Sequence, residues 1–163
     1  MLKAVDTDVL IVGAGPVGLF LANECARRGL SWRLVEAHAT QSEHSKALAV
    51  MPRTLEIFDM AGVVGPFLEV GNRVTWIAVE EPSRTVARMK FAAESPYPFV
   101  AMVPQDVTEK LLVEELRRKG GSVEYETTLV SAEERRPRRS HPESEGAAGR
   151  DFGAIRSGVR RRA

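Results

Sequence analysis

Gly13-Ala14-Gly15-Pro16-Val17-Gly18 is the segment that most restricts how this chain folds. Three glycines at this spacing suit a sharp turn, a backbone open to close approach and a helix pressed against its neighbour. The flanks supply the elements. Asp8-Val9-Leu10-Ile11-Val12 is a short β-branched run that ends at glycine and reads as a buried strand. Pro16 to Arg28 reads as a helix. Gly18, Leu21, Ala22, Cys25 and Gly29 fall on one face of a 3.6-residue period, a small face suited to close packing on a sheet. Pro16 lies in the first turn, where a missing N–H costs nothing, and Arg27-Arg28-Gly29 ends the helix with cations and a glycine cap. Trp32-Arg33-Leu34-Val35-Glu36 is the second strand. Strand, helix and strand within about 30 residues form a βαβ unit, with a right-handed crossover expected.

A turn of this kind is a site for a dinucleotide. Gly13 allows the bend, Gly15 lets the backbone approach a pyrophosphate, and Gly18 lets helix and strand pack closely. The first helical turn, with Pro16 and Val17, aims its amides and the positive end of the helix dipole at the phosphates. Glu36 follows Gly18 by 18 residues and ends the next strand, with Ala37 beside it. That is where a carboxylate grips the adenosine ribose hydroxyls. A carboxylate there repels a 2′-phosphate, which disfavours NADP. FAD or NAD remains.

Composition adds bounds. A chain of 163 residues can bury one ordinary core. Net charge is +1, no match for nucleic acid or an anionic membrane. The single cysteine, Cys25, cannot form an internal disulfide and reads as a small buried hydrophobe. Early apolar runs are too short for a membrane span or a signal peptide, so a cytoplasmic protein is expected. His38, His44 and His141 lack ligand-like spacing, and no metal site is predicted. His38 and His44 lie in the loop after the second strand and read as solvated.

The average charge hides a break. Residues 1–130 carry 14 Lys and Arg against 17 Asp and Glu, whereas 131–163 carry nine Arg against five acids. Only Phe152, Ile155 and Val159 are large and apolar in that last stretch. Residues 131–150 are expected to be a disordered basic linker, because such a composition buries too little surface to offset ordering. Before it, the pattern predicts a short helix over 53–61, strands over 73–79 and 85–91 with Glu81-Pro82-Ser83 as the turn, and a helix opened by a capping-box-like Asp106-Val107-Thr108-Glu109. Residues 122–130 read as one more strand or a hairpin.

Three further segments resemble the FAD-dependent aromatic hydroxylases, single-component flavoprotein monooxygenases of the phenol and hydroxybenzoate hydroxylase type. They are Ser45-Lys46-Ala47 with Pro52-Arg53-Thr54-Leu55-Glu56-Ile57-Phe58 and Gly62; Val103-Pro104-Gln105 heading the helix with Glu109 and Leu112; and Asp151-Phe152-Gly153-Ala154-Ile155-Arg156-Ser157-Gly158-Val159-Arg160, similar to that family's Asp-Gly motif with extra residues inside it. The resemblance implies a Rossmann-like, glutathione-reductase-type α/β fold for FAD, incomplete, with a small β-sheet insertion. It places the N-terminal part of the FAD-binding domain at 1–130 and a degenerate Asp-Gly tail at 151–163.

The resemblance also implies roles. Lys46 matches an arginine that neutralises the FAD pyrophosphate, Arg53 helps position the cofactor, Gln105 bonds the ribityl chain and flavin edge, and Asp151 belongs to the cofactor set. Lysine at 46 keeps the charge but not the bidentate fork. The implied reaction uses NAD(P)H and O₂ to hydroxylate a phenol-type ring, the cofactor supplying the hard chemistry. Family members are much longer. Their Gly-Asp-Ala-Ala-His-type segment and most of their substrate-binding sheet are missing here, so the chain looks truncated. The alternatives are a non-catalytic fragment with weak dinucleotide binding and an NAD-dependent oxidoreductase. No nucleophile or general-base dyad stands out, so no catalytic residue is named, and the oligomeric state cannot be read from the sequence.

Overall fold

Strand β1 (Lys3–Thr7) gives way at Asp8 to β2 (Val9–Val12), and the glycine turn leads on to helix α1 (Pro16–Arg27) and strand β3 (Trp32–Val35). The computed structural model describes residues 3–41, 48–82, 84–91, 94–134 and 155–161. Next come β4 (Ala49–Val50), α2 (Pro52–Met60), α3 (Gly65–Val70), β5 (Asn72–Val74), β6 (Trp76–Glu81) and β7 (Arg84–Lys90). The last elements are β8 (Val100–Met102), α4 (Gln105–Arg118), β9 (Thr127–Glu134) and β10 (Ile155–Arg161). The chain divides into two compact units, residues 1–41 with 116–163 and residues 42–115.

The first unit contains the βαβ unit. β2 and β3 pair in parallel, with Ile11 opposite Leu34 and Val12 opposite Val35. Asp8 fixes the start of this pair: its carboxylate accepts from Ser31 N and Oγ at 2.9 and 2.6 Å. Helix α1 buries Leu19, Ala22, Asn23 and Cys25. The expected face therefore turns toward Leu19 and Asn23, and Leu21 is exposed. The buried Asn23 is satisfied: its amide nitrogen donates to Leu19 O at 3.0 Å and its oxygen accepts from Lys119 Nζ at 3.2 Å. Burial pushes the Cys25 thiol upward, in keeping with its reading as a core hydrophobe. β2 is less buried than expected. Ile11 lies inside, but Val12 is 58% exposed, on the strand face opposite Ile11.

β10 lies between β1 and β9 in an antiparallel sheet, pairing Thr7 with Ile155 and Ser157 with Ala132. β9 continues to Glu134, four residues into the stretch expected as a disordered linker, and within the segment read as an Asp-Gly-like tail Ile155–Arg161 forms a strand. Ladder hydrogen bonds come from the backbone, so an arginine-rich segment poor in large apolar residues can still fill a central strand. Residues 135–154 lie outside the described residues.

The second unit packs α2 and α3 around Leu55, Phe58 and Phe67, the two phenyl rings 4.6 Å apart. Its sheet runs β4-β8-β5, antiparallel throughout. The run expected as one strand over 73–79 breaks at Thr75. Arg73 pairs with Ala101 in this sheet, whereas Ile77 pairs with Met89 in the separate β6–β7 hairpin. α4 begins at Gln105, not Asp106, with Thr108 N bonded to Pro104 O at 2.9 Å. Among the described residues no helix is long and apolar enough to cross a membrane.

Candidate functional site

The site of the first unit is built around the glycine turn. Gly13 adopts φ +99°, a backbone conformation open to glycine and strained for other residues, and its N–H donates to Val35 O at 2.8 Å. This ties the turn to the end of β3. A Cβ on Gly18 would stand 2.0 Å from Gly13 O and 3.3 Å from Ile11 Cγ2, so the helix can approach the strand only without a side chain there. Gly15 differs from both. Its φ is −75° and a Cβ would meet no protein atom within 4 Å. Among the described residues, neither backbone strain nor internal packing requires glycine at 15.

Gly15 is the N-cap of α1, and Leu19 N returns to its carbonyl at 2.9 Å. Among the described residues no side chain caps this helix end, and no acid lies in its first turn. With Pro16 contributing no N–H, the amides of Val17 and Gly18 lie at the positive helix end, a kind of terminus that suits an anion. Val17 is 83% exposed beside them.

Glu36 closes on this turn. Its Oε2 accepts the Ala14 N–H at 2.8 Å. Its Oε1 accepts the His38 N–H at 3.0 Å and lies 2.6 Å from His38 Nδ1. Desolvation alone would raise this carboxyl, but the bonds from Ala14, the His38 amide and the His38 ring together hold it below the ordinary value of 4.5. A carboxylate has about four acceptor positions, so these three contacts leave about one, on Oε2, for a hydroxyl. Ala37 is half-buried beside it. The segment is held from the far side by a strap over 124–127: Glu36 N donates to Glu124 O, Thr127 N to Glu36 O and Glu126 N to His38 O. Neither the strap nor the His38 contact emerges from the sequence. Both depend on pairing distant in the chain or on one side-chain rotamer.

The remaining expected residues fall elsewhere. Arg53, on α2 in the second unit, is exposed and pairs with Glu56 Oε2 at 2.7 Å. Glu56 also takes a bond from Ser95, and Ser95 first and Arg53 next lower its carboxyl. Gln105 opens α4 and donates from Nε2 to Glu109 Oε1 at 2.9 Å. Lys46, His44 and Asp151 lie outside the described residues. The structure thus brings together Gly13, Gly15, Pro16, Val17, Gly18, Glu36 and Ala37.

A parallel strand pair crossed by a helix, with an uncapped amide-rich turn and an acid folded back on it, defines a dinucleotide-binding protein. The chain belongs to the FAD binding domain family, whose model matches residues 6–144. FAD is the cofactor of that family, and the chain corresponds to the N-terminal FAD-binding part of aromatic-compound flavoprotein monooxygenases. It is 36% identical over 150 residues to a 6-methylpretetramide 4-monooxygenase of Streptomyces rimosus, covering 85% of this chain and 27% of the relative. It is 35% identical over 117 residues to an aromatic compound monooxygenase of Bacillus subtilis (strain 168), covering 71% of this chain and 23% of that protein. Among solved structures, aklavinone-11 hydroxylase in a ternary complex with FAD and aklavinone aligns with a TM-score of 0.66 and 28% identity, over 93% of this chain and 31% of the hydroxylase. The chain spans about a quarter of the length of the two relatives.

The residues present fit the adenosine-diphosphate end of FAD. Gly15 leaves the backbone open, no side chain among the described residues caps the helix end, and Glu36 keeps an acceptor position of the kind a sugar hydroxyl takes.

Proposed function

We propose that this chain is the FAD-binding N-terminal part of a monooxygenase that hydroxylates a phenol-type aromatic ring using NAD(P)H and O₂. The overall conversion takes one oxygen atom of O₂ into the ring hydroxyl and the other into water, with NAD(P)H as the two-electron donor. When bound, FAD supplies the redox chemistry; the chain supplies binding and orientation. Gly13, Gly15, Pro16, Val17 and Gly18 form the diphosphate cradle, and Glu36 with Ala37 holds the adenosine ribose. Lys46 adds positive charge for the diphosphate, Arg53 and Gln105 position the flavin half, and Asp151 completes the cofactor set. The expected division, with the FAD-binding part over 1–130 and an Asp-Gly-like segment over 151–163, belongs to the same reading.

The observation that carries this reading is Gly15, whose missing side chain nothing among the described residues requires. The test is a titration of the purified chain with FAD, read by flavin fluorescence and by thermal shift. The melting temperature rises with free FAD as RT ln(1+[L]/Kd) predicts. A Gly15→Asp variant, which places a carboxylate against the diphosphate, loses the shift. Equal responses of the two proteins overturn the proposal. A chain that prefers NAD to FAD supports the dehydrogenase alternative instead.

A further inference from the structure

The two oxygens of the Glu36 carboxylate are not equivalent. Oε2 accepts one bond, from the Ala14 N–H at 2.8 Å. Oε1 takes both of its contacts from one residue: the His38 N–H donates to it at 3.0 Å, and His38 Nδ1 lies 2.6 Å away. An ionised carboxylate only accepts, so Nδ1 carries the hydrogen of that contact. Each carboxylate oxygen has about two acceptor positions. Oε1 is therefore filled, and the position left over is on Oε2.

The His38 side chain is 85% exposed, whereas that of Glu36 is 16% exposed. Water serves an exposed imidazole well, so a surface pair of this kind adds little to stability. What the ring does change is the number of acceptors Glu36 can offer. The backbone of His38 is held in place for this by the strap, where Glu126 N donates to His38 O at 3.0 Å. A ribose carries two neighbouring hydroxyls, and a carboxylate with an open position on each oxygen can take both. This one has an opening on one oxygen only. We propose that His38 is a positioning residue of the adenosine site: by occupying Oε1 it restricts Glu36 to a single ribose hydroxyl, taken on Oε2. This deepens the reading of Glu36 as the ribose acceptor and rests on it. Ala14, Glu36, His38 and Glu126 all belong to the first compact unit.

The test measures three ligands on the full chain by isothermal titration: ADP, 2′-deoxy-ADP and 3′-deoxy-ADP. In wild type one deoxy analogue binds about tenfold more weakly than ADP, the worth of one hydroxyl bonded to a carboxylate, and the other binds like ADP. His38→Ala opens a position on Oε1 while keeping the backbone N–H, and in that variant both analogues bind more weakly than ADP. His38→Asn sets an amide N–H near the place of Nδ1 and restores the one-sided pattern. Circular dichroism confirms that each variant is folded, as substitution of an exposed ring should allow. A ring that merely steadies its loop would, when removed, lower all three affinities alike and leave their ratios unchanged. The proposal is overturned by that result, by a His38→Ala variant that keeps the one-sided pattern, or by a wild type that loses affinity when either hydroxyl is removed. Wild type that binds all three ligands equally overturns the ribose role of Glu36 as well. Wild type that binds none of them overturns the dinucleotide reading itself.

Discussion

Oε2 of Glu36 accepts the N–H of Ala14 at 2.8 Å, so the acid at the end of β3 is tied to the middle of the glycine turn. The carboxyl group proposed to hold a ribose is thus also bonded to the turn proposed to cradle the diphosphate. Mutating it therefore alters both ends of the adenosine diphosphate site. Glu36→Gln can still accept one bond but not all of them, and FAD affinity is expected to fall about tenfold or more, with the loss of charge-assisted bonds. Isothermal titration with FAD and with ADP measures this, and similar losses for both place the effect on the shared half.

The same contacts make stability depend on pH. The folded Glu36 carboxyl lies below its ordinary value of 4.5, because the Ala14 and His38 bonds outweigh desolvation. A carboxyl depressed in the folded state stabilises above its unfolded pKa and loses that contribution as pH falls through the folded value. Urea unfolding from about pH 6 down to about pH 3 should show wild type losing stability over the acid limb. Glu36→Gln should start lower near neutrality and show a shallower decline. Parallel curves for the two proteins would remove Glu36 from the account.

Two glycines three residues apart should separate folding from binding. A Cβ at Gly18 would stand 2.0 Å from the Gly13 carbonyl oxygen, so Gly18→Ala forces the helix off the strand and costs about 3 kcal/mol or more. At Gly15 the added methyl touches nothing and φ is already −75°. A small loss in capping preference and a small gain from a stiffer unfolded chain nearly cancel, so Gly15→Ala stays within about 0.5 kcal/mol of wild type. Its FAD affinity nonetheless falls severalfold. Denaturant melts and FAD titrations on the two variants give opposite patterns if Gly15 faces the cofactor.

What could be read from the sequence was what is local. Strand, glycine turn, helix and Glu36 obey short-range periodicity and backbone chemistry, and the structure places them together. Contacts between distant segments could not be read. Arg33 and Glu124 are 91 residues apart, and nothing in either neighbourhood announces the pair. β10 escaped because its ladder needs backbone groups and not apolar side chains. The split at Thr75 escaped because β5 and β6 are both extended, and only their partners differ. Glu109 was misread for a different reason: Asp106 and Glu109 spell a capping box, but the helix starts one residue earlier and puts Glu109 a full turn from Gln105.

Glu126 holds φ +53° without being glycine, and its N–H donates to His38 O at 3.0 Å. The strap that steadies Glu36 therefore contains a left-handed residue that carries a Cβ. Such a conformation costs about 1 kcal/mol for a residue other than glycine or asparagine. Glu126→Gly relieves it but frees the unfolded chain, so a gain of up to about 0.5 kcal/mol is expected, and Glu126→Asn a similar one. Thermal melts decide it. A clear loss in both variants would mean that the glutamate side chain, not the backbone, holds the strap.

Arg33 and Glu124 carry the last prediction. The guanidinium meets the carboxylate through two bonds of 2.7 Å, Nε to Oε1 and Nη2 to Oε2, with the arginine side chain 12% exposed. The Glu124 bond comes first in holding the arginine pKa above its usual value. Nη1 is buried without a hydrogen-bond partner among the described residues. Removing the acid alone would therefore leave a nearly buried cation with less compensation still. Glu124→Leu should cost about 3 kcal/mol, whereas Arg33→Met with Glu124→Leu should recover much of that loss, since a buried pair is often no better than a packed apolar one. The double-mutant cycle, measured by urea unfolding, should show this strong coupling. Because Glu124 also takes the Glu36 N–H on its backbone carbonyl, the double variant should keep its FAD affinity if only the side chains are at stake. A double variant as unstable as the single one would show that the ion pair itself, rather than the burial of its arginine, sets the stability of this corner.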